Sequence, residues 1–410
     1  MTEVVIVLAG IQEISPYREM GDDMSEDIAK KYRRHARAHR IILPLARPIL
    51  KWIFRLESRS VTGLKGPFLV YANHNGDLDP ALIQLSFSEL LYFVASEHVF
   101  RLGMPSRLLI RYFDPISRLK GSTDMSTVRD IMRRLKDGKN VCIFAEGNRS
   151  FNGVTGPIPP SIGKLAKACK VPLVTYKFEG GYFTTPRWAY TLRRGLMRGY
   201  AVHVYTVEQL KEMGADEVNA AIKADLSEDA YTRQAIEKVR YKGRRLAEGL
   251  ETALFICPKC EQIGTLVSRD NEFSCTCGLK ATFDEYGYLN GAPYSTITEW
   301  DVWQGQKLSE ISGKLADDPV FGDKGVTVRR IHGGHSSEII DTGSGQLAMY
   351  QDRIECGGLT FDLDDISDMA LYGRGNIAFT SQLKHYVITA GPSFCGRKYL
   401  ELYNQLRTPR

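Results

Sequence analysis

The chain lacks an apolar run long enough to cross a bilayer. Its best candidate, "IILPLARPILKWIF" at residues 41–54, is broken by Pro44, Arg47, Pro48 and Lys51. A spanning helix needs roughly 20 consecutive apolar residues. A secretory leader is not expected either, because "MTEVVIVLAG" has no basic start and carries Glu3. Internal repeats and low-complexity tracts are missing, which argues against solenoid and disordered classes. Net charge is small, +6 over 410 residues, so the global field is weak and the placement of charge matters more. Cysteine is scarce, with eight residues of which four cluster at metal-like spacing. That pattern suits a reducing interior rather than a disulfide scaffold. What remains is ordinary globular composition, 43% hydrophobic and 25% charged, at a length that implies two or three domains.

Charge is concentrated near the start. Between Lys30 and Arg59 there are ten Lys or Arg and one acid, Glu57. Pro44 and Pro48 argue against a straight rod, and Pro48 suits the first turn of a helix. From there Lys51, Arg55 and Arg59 recur every four residues and are expected on one helical face. Leu50, Trp52, Ile53, Phe54 and Leu56 fill much of the rest. A cationic stripe beside a Trp/Phe/Ile surface fits a helix lying on an anionic membrane. It equally fits a helix packed on its own domain, and the two readings are compatible. His35 and His39 are expected to extend the basic face, and the acidic stretch 21–27 to lead into it.

Residues 60–205 alternate apolar strands with helical patterns. Strands are expected at 67–71, 91–95, 141–145, 171–176 and 201–205, with helices around Val128–Leu135 and at 161–170. Such alternation predicts an α/β domain with a largely buried sheet, in which ligands bind where strands hand over to loops. Residues 206–250 are charged and read as helical. From about 325 onward come β-rich runs closed by one amphipathic helix at 396–406, a pattern compatible with a small pleckstrin-homology-like barrel. The expected division is 1–59 for the lead-in and basic amphipathic helices, and 60–250 for the α/β domain with its trailing helices. A cysteine segment at 251–290 and a β-rich domain at 291–410 follow.

The stretch "YANHNGDLDP", 71–80, places His74 and Asp79 at a strand-to-helix junction, with Pro80 near the first helical position. An imidazole acts as a general base when one nitrogen is held by an orienting acceptor. A carboxylate five positions on, across a turn tightened by Gly76, can be that acceptor. Asp77 competes for the role. A second strand runs into Glu146-Gly147-Asn148-Arg149-Ser150. There Gly147 permits close backbone approach, Arg149 offers donors for phosphate and Ser150 adds a hydroxyl. Glu146 is suited to receive a substrate hydroxyl or to hold Arg149, and the stretch also reads as a plain polar turn with an internal Glu–Arg pair. Arg118 and Lys120, after a third apolar run, are candidates to join Arg149 around an anion. The alternative for them is a solvated basic loop.

In this order and spacing the pieces resemble the glycerolipid acyltransferase family, which contains bacterial 1-acylglycerol-3-phosphate acyltransferases. The first motif of that family, Asn-His, four residues, then Asp, is matched by Asn73, His74 and Asp79. The third, usually Phe-Pro-Glu-Gly-Thr-Arg-Ser, reads Phe144-Ala145-Glu146-Gly147-Asn148-Arg149-Ser150 here. The second usually carries Asp-Arg; here Asp114 precedes Pro115, and Arg118 is the nearest replacement. The fourth matches at Val171-Pro172 and has Thr175 near the place of a later proline. The resemblance covers about residues 45–205. It implies that His74 deprotonates a glycerol hydroxyl, which attacks an acyl thioester, coenzyme A- or carrier-protein-bound, while Asp79 orients His74. Asn73, Arg118, Glu146, Gly147, Arg149 and Ser150 are then the substrate-binding residues, with His74, Asp79 and Arg149 expected around one cleft. The implied acceptor is 1-acylglycerol 3-phosphate, with another lysolipid or glycerol 3-phosphate as alternatives. The implied place is the inner, cytoplasmic face of an anionic membrane, held peripherally.

Cys257 and Cys260 form C-x2-C, and Cys275 and Cys277 form C-x-C, with fourteen residues between the pairs. Four thiolates in two knuckles suit a closed, structural zinc ribbon with Zn²⁺. Cys142, Cys169, Cys356 and Cys395 read as incidental thiols, and His332 and His335 as an exposed turn. A non-catalytic membrane or nucleic-acid adaptor is the rival from another class. The basic residues, however, gather beside Trp52 and Phe54 rather than around the ribbon, so nucleic acid is not the expected partner.

Overall fold

The computed structural model describes residues 22–101, 104–119, 125–315, 317–332 and 338–407. The leader stretch considered above, Lys120 and His335 lie outside them, as does the side chain of His332.

Helix α1 (Asp22–Phe54) is a single 33-residue element that runs through both prolines. The expected break at Pro44 or Pro48 does not occur. Both prolines lie on the exposed side, where the carbonyl each leaves without a partner can turn to water. The first half of α1 is fastened to the domain behind it. Lys31 pairs with Asp114 at 2.7 Å, and the Tyr32 hydroxyl donates to Asp137 at 2.9 Å. His35 is fully buried beside the Tyr92 hydroxyl at 3.1 Å. Burial pushes its imidazole down to about 4, so it is neutral at pH 7 and does not extend a basic face as expected. Burial likewise lowers His39. The second half is bare: Ile41, Leu45, Ile49 and Trp52, at spacings of three and four, are 58–68% exposed. Because the helix stops at Phe54, Arg55 and Arg59 do not continue a stripe with Lys51. Arg59 instead lies 5.8 Å from the Tyr200 ring.

The α/β domain is built on a seven-stranded mixed sheet. Its strands are β1 (Leu56–Ser58), β2 (Leu69–Ala72), β3 (Leu91–Ser96), β4 (Ile116–Arg118), β5 (Asn140–Phe144), β6 (Leu173–Glu179) and β7 (Met197–Tyr205). Their spatial order is β1-β7-β6-β2-β5-β3-β4. β2 through β6 run parallel to one another, and β7 is antiparallel to β6. The central strands "LVYA" and "NVCIF" are buried at every position, as strands covered on both faces must be. The five long strands fall where the apolar runs predict them, with ends shifted by a few residues. The helices expected near 128–135 and 161–170 are α4 (Ser126–Lys136) and α5 (Ser161–Cys169), with α2 (Asp79–Gln84) and α3 (Met104–Phe113) before them. Within residues 206–249 helical structure ends at Glu237, where Lys238 adopts φ +49°. Residues 238–249 are not helical, contrary to the expectation.

The cysteine segment forms a four-stranded antiparallel sheet. Its core is continuous with the α/β domain: Phe183, Trp188, Tyr231, Cys257, Phe273, Phe283 and Trp300 are one buried cluster. A helix at Ile297–Ser312, capped by Thr296 and Glu299, leads into a seven-stranded antiparallel sheet closed by a helix at Gly396–Arg407.

Candidate active site

The predicted catalytic and substrate-binding residues lie along one edge of the mixed sheet, beyond or at the carboxyl ends of its parallel strands. Asn73 and His74 follow β2, Arg118 ends β4, and Glu146 to Ser150 follow β5. In open α/β sheets this edge is where ligands bind.

His74 Nδ1 lies 2.8 Å from Asp79 Oδ2. The same oxygen accepts the backbone N–H of Asn75 at 2.6 Å and of Gly76 at 2.9 Å. Asp79 is 1% exposed, so three donors satisfy a carboxylate that would otherwise be costly to bury. The turn closes tightly because residue 76 is glycine: a Cβ there would stand 2.4 Å from Thr185 Oγ1. With Nδ1 carrying the shared proton, Nε2 is the basic nitrogen of the neutral ring. The ring stacks on Phe144, centroids 4.2 Å apart. Asp77 does not compete; it pairs with Arg149 at 3.0 Å.

Three of the residues expected to touch substrate are occupied by the protein itself. Glu146 accepts the His74 backbone N–H at 2.7 Å on one oxygen and the Gly156 N–H at 2.6 Å on the other. Burial pushes its carboxyl up to about 8, against those two donors and with Asp79 nearby adding to the rise. It holds the turn that begins at His74 and does not pair with Arg149. Ser150 donates to the Val154 carbonyl at 2.7 Å and accepts the Gly153 N–H at 2.9 Å. Asn73 spans to β6, exchanging two bonds with the Phe178 backbone at 2.7 and 2.9 Å. The polar groups of these three side chains are spent on neighbouring main chain.

Arg118 and Gly147 come together. Gly147 has φ +68°, and a Cβ on it would be 3.0 Å from Arg118 Nη1. Arg149 turns the other way, into a cavity of about 490 Å³ walled by Asp77, Leu78, Thr185, Arg187, Tyr190 and Arg374 among others. His74 is not part of that wall, so the single cleft expected for His74, Asp79 and Arg149 is divided by the 75–78 turn. The two sides stay adjacent, since the Ser150 N–H bonds the His74 carbonyl at 3.2 Å. Arg187 was not singled out in the sequence. It sits 38 residues beyond Arg149 in "TTPRWAY", and no local pattern there marks it.

The four cysteine sulfurs lie within 4.8 Å of one another, with Cys257–Cys277 and Cys260–Cys275 both at 3.7 Å. Tetrahedral zinc with Zn–S bonds near 2.3 Å requires S···S separations of about 3.8 Å, so the donor set fits. It is the one such cluster among the described residues.

Residues 53–179 match the family model "Acyltransferase". That segment, which carries His74, Asp79 and the Glu146–Ser150 turn, therefore matches an acyltransferase domain. The crystal structure of the 1-acyl-sn-glycerophosphate (LPA) acyltransferase, PlsC, from Thermotoga maritima is similar at 18% identity. The match covers 55% of this chain and 85% of that one, with a TM-score of 0.39. No curated protein matched.

Proposed function

We propose that the chain moves a fatty acyl group from an acyl thioester, of coenzyme A or acyl carrier protein, to the free hydroxyl of 1-acylglycerol 3-phosphate. The product is phosphatidic acid, a phospholipid precursor. The observation that carries this reading is the 2.8 Å bond between His74 and Asp79, whose carboxylate is fixed by two further backbone donors. His74 Nε2 takes the hydroxyl proton as the oxygen attacks the thioester carbonyl. The C–S bond then breaks, and the imidazolium returns the proton to the departing thiolate. Asp79 stabilises the imidazolium and keeps the ring in one tautomer. Holding the acceptor makes the attack effectively intramolecular. Arg149, with Arg118 and the Gly147 backbone on the other side of the turn, binds the acceptor. The Asp77–Arg149 pair does not prevent this, because the Asp77 side chain is 84% exposed and such pairs contribute little.

The test is transfer by the purified full chain across acceptors. The expected order places 1-acylglycerol 3-phosphate ahead of glycerol 3-phosphate and of phosphate-free lysolipids. Arg149→Ala is expected to raise the KM for the phosphate-bearing acceptor about 10- to 100-fold, the worth of a charge-assisted contact, with kcat little changed. Unchanged acceptor kinetics in that variant would argue against an arginine clamp.

A membrane-bound acceptor also gives the bare half of α1 a role. No described helix is long and apolar enough to cross a membrane. Ile41, Leu45, Ile49 and Trp52, with Met104 and Leu108 of α3, present exposed apolar side chains beside basic ones. In this reading they seat the protein on the anionic cytoplasmic face. Leu45→Ser together with Ile49→Ser is expected to lower partitioning onto vesicles containing anionic phospholipid by at least tenfold, measured by co-sedimentation. Undiminished partitioning would remove the docking role. The four cysteines hold a structural Zn²⁺ in the same reading. The closing sheet-and-helix unit is pleckstrin-homology-like, a reading supported by its seven antiparallel strands and single C-terminal helix.

A further inference from the structure

The cavity beside Arg149 is walled by two parts of the chain. One wall is the acyltransferase domain, with Asp77, Arg149, Thr185 and Arg187; the other is Gly373 and Arg374. These last two form the turn between the strands Ile366–Tyr372 and Asn376–Ser381 of the C-terminal sheet. The turn reaches the domain through Arg149 Nη2, which donates to the Gly373 carbonyl at 3.4 Å. Arg374 lies 4.1 Å over the ring of Tyr190, whose hydroxyl donates to the Pro392 carbonyl at 3.0 Å.

Three guanidinium groups face one carboxylate in this wall. Arg187 is the most telling of them. It is 3% exposed, its Nε has no hydrogen-bond partner, and its one contact through Nη1 is a long 3.4 Å to Asn148 Oδ1. The guanidinium stacks on Phe151 at 4.4 Å, with Arg397 also over that ring at 4.5 Å. Burial and then the neighbouring Arg149 and Arg397 lower it to about 9. Asp77 offsets this only at a distance, and a buried cation without a carboxylate in hydrogen-bond reach is costly until an anion arrives. Arg198, in the cavity of about 730 Å³ on the β1 edge, is the contrast. It has Glu237 at 2.8 Å and Glu179 at 3.7 Å, so its charge is already answered.

We propose that this cavity is a phosphate-monoester subsite completed by the C-terminal domain, with Arg187 and Arg374 as specificity-determining residues alongside Arg149. The proposal rests on the acyltransferase reading for its purpose, since the subsite would hold the acceptor headgroup one turn away from His74. Its binding chemistry stands apart from that reading. A dianionic phosphate matches several guanidinium forks. A phosphate-free alcohol would leave Arg187 unanswered.

The experiment is calorimetric titration of the full chain with inorganic phosphate, with glycerol 3-phosphate and with 1-acylglycerol 3-phosphate in neutral-lipid vesicles. Wild type is compared with Arg374→Ala, Arg187→Lys and a control, Arg198→Ala. Arg374 is exposed at a turn, so its replacement leaves the fold intact. Arg374→Ala is expected to weaken binding about tenfold, equivalent to about 1.4 kcal/mol. Arg187→Lys should weaken it at least as much, and Arg198→Ala should change nothing. Equal weakening for all three ligands means the phosphate alone is read, and weakening confined to the lipid means the glycerol backbone is read with it; both support the subsite. Tight binding by wild type that Arg374→Ala and Arg187→Lys leave unaltered would overturn it. So would failure of all three ligands to bind, even if acyl transfer to some alcohol proceeds. Binding without transfer would retain the subsite and remove the acyltransferase reading instead.

Discussion

Replacement of His74 by alanine is expected to lower acyl transfer by about 10²- to 10⁴-fold, the range general base catalysis supplies. The fold should survive. The His74 side chain is 21% exposed and sits on the Phe144 ring rather than inside a core. Its backbone keeps the bond to Glu146 whatever the side chain. Thermal melting within a few degrees of wild type, with transfer lost, separates chemistry from folding. Asp79→Asn is a subtler case. The amide can still accept through one oxygen, but it carries no charge to support an imidazolium and competes with the N–H groups of Asn75 and Gly76. A loss of rate accompanied by some loss of stability is expected there.

Loss of the proposed zinc from the cysteine cluster is expected to be the second large effect. Structural zinc sites contribute on the order of 10 kcal/mol of apparent binding free energy, which is folding free energy when the site forms only in the folded chain. Here the consequence extends past the cluster, because Cys257 and Cys275 belong to the same buried cluster as Tyr182, Phe183 and Trp188 of the acyltransferase side. Cys257→Ser is expected to abolish stoichiometric zinc in elemental analysis and to lower the melting temperature by 10 °C or more. The segment around Arg187 adjoins that core, so acceptor binding should weaken as well. Intact protein without stoichiometric zinc, or a Cys257→Ser variant that melts like wild type, would remove the metal from the account.

The elements legible in the sequence are those whose signal is local. Buried parallel strands show as unbroken apolar runs such as "FLVY" and "VCIF". The His74–Asp79 pair was readable because a turn of fixed length sets their distance, and the cysteines because knuckle spacing does. The basic block misled where tertiary packing decides. His35 has helical neighbours of like charge, yet it is buried against Tyr92 from a strand 57 residues away. Pro44 and Pro48 read as breaks, but a proline on a solvent-facing side leaves its orphaned carbonyl to water. Glu146, Ser150 and Asn73 have the chemistry of ligand-binding groups, and only the coordinates show their polar atoms facing main chain. Arg187 and Arg374 are brought to Arg149 by an interface between distant segments, which no spacing rule encodes. The helix at Ile297–Ser312 went unread although Thr296-Ile297-Thr298-Glu299 is a capping box.

The most direct measurement is acceptor-dependent thiol release from an acyl thioester, compared among His74→Ala, Asp79→Ala and the double variant. Two groups that act as one unit give non-additive losses. The double variant should therefore retain the same residual rate as His74→Ala alone. Losses that multiply, or transfer that persists in His74→Ala, would contradict the claim that this imidazole, held by this carboxylate, takes the proton.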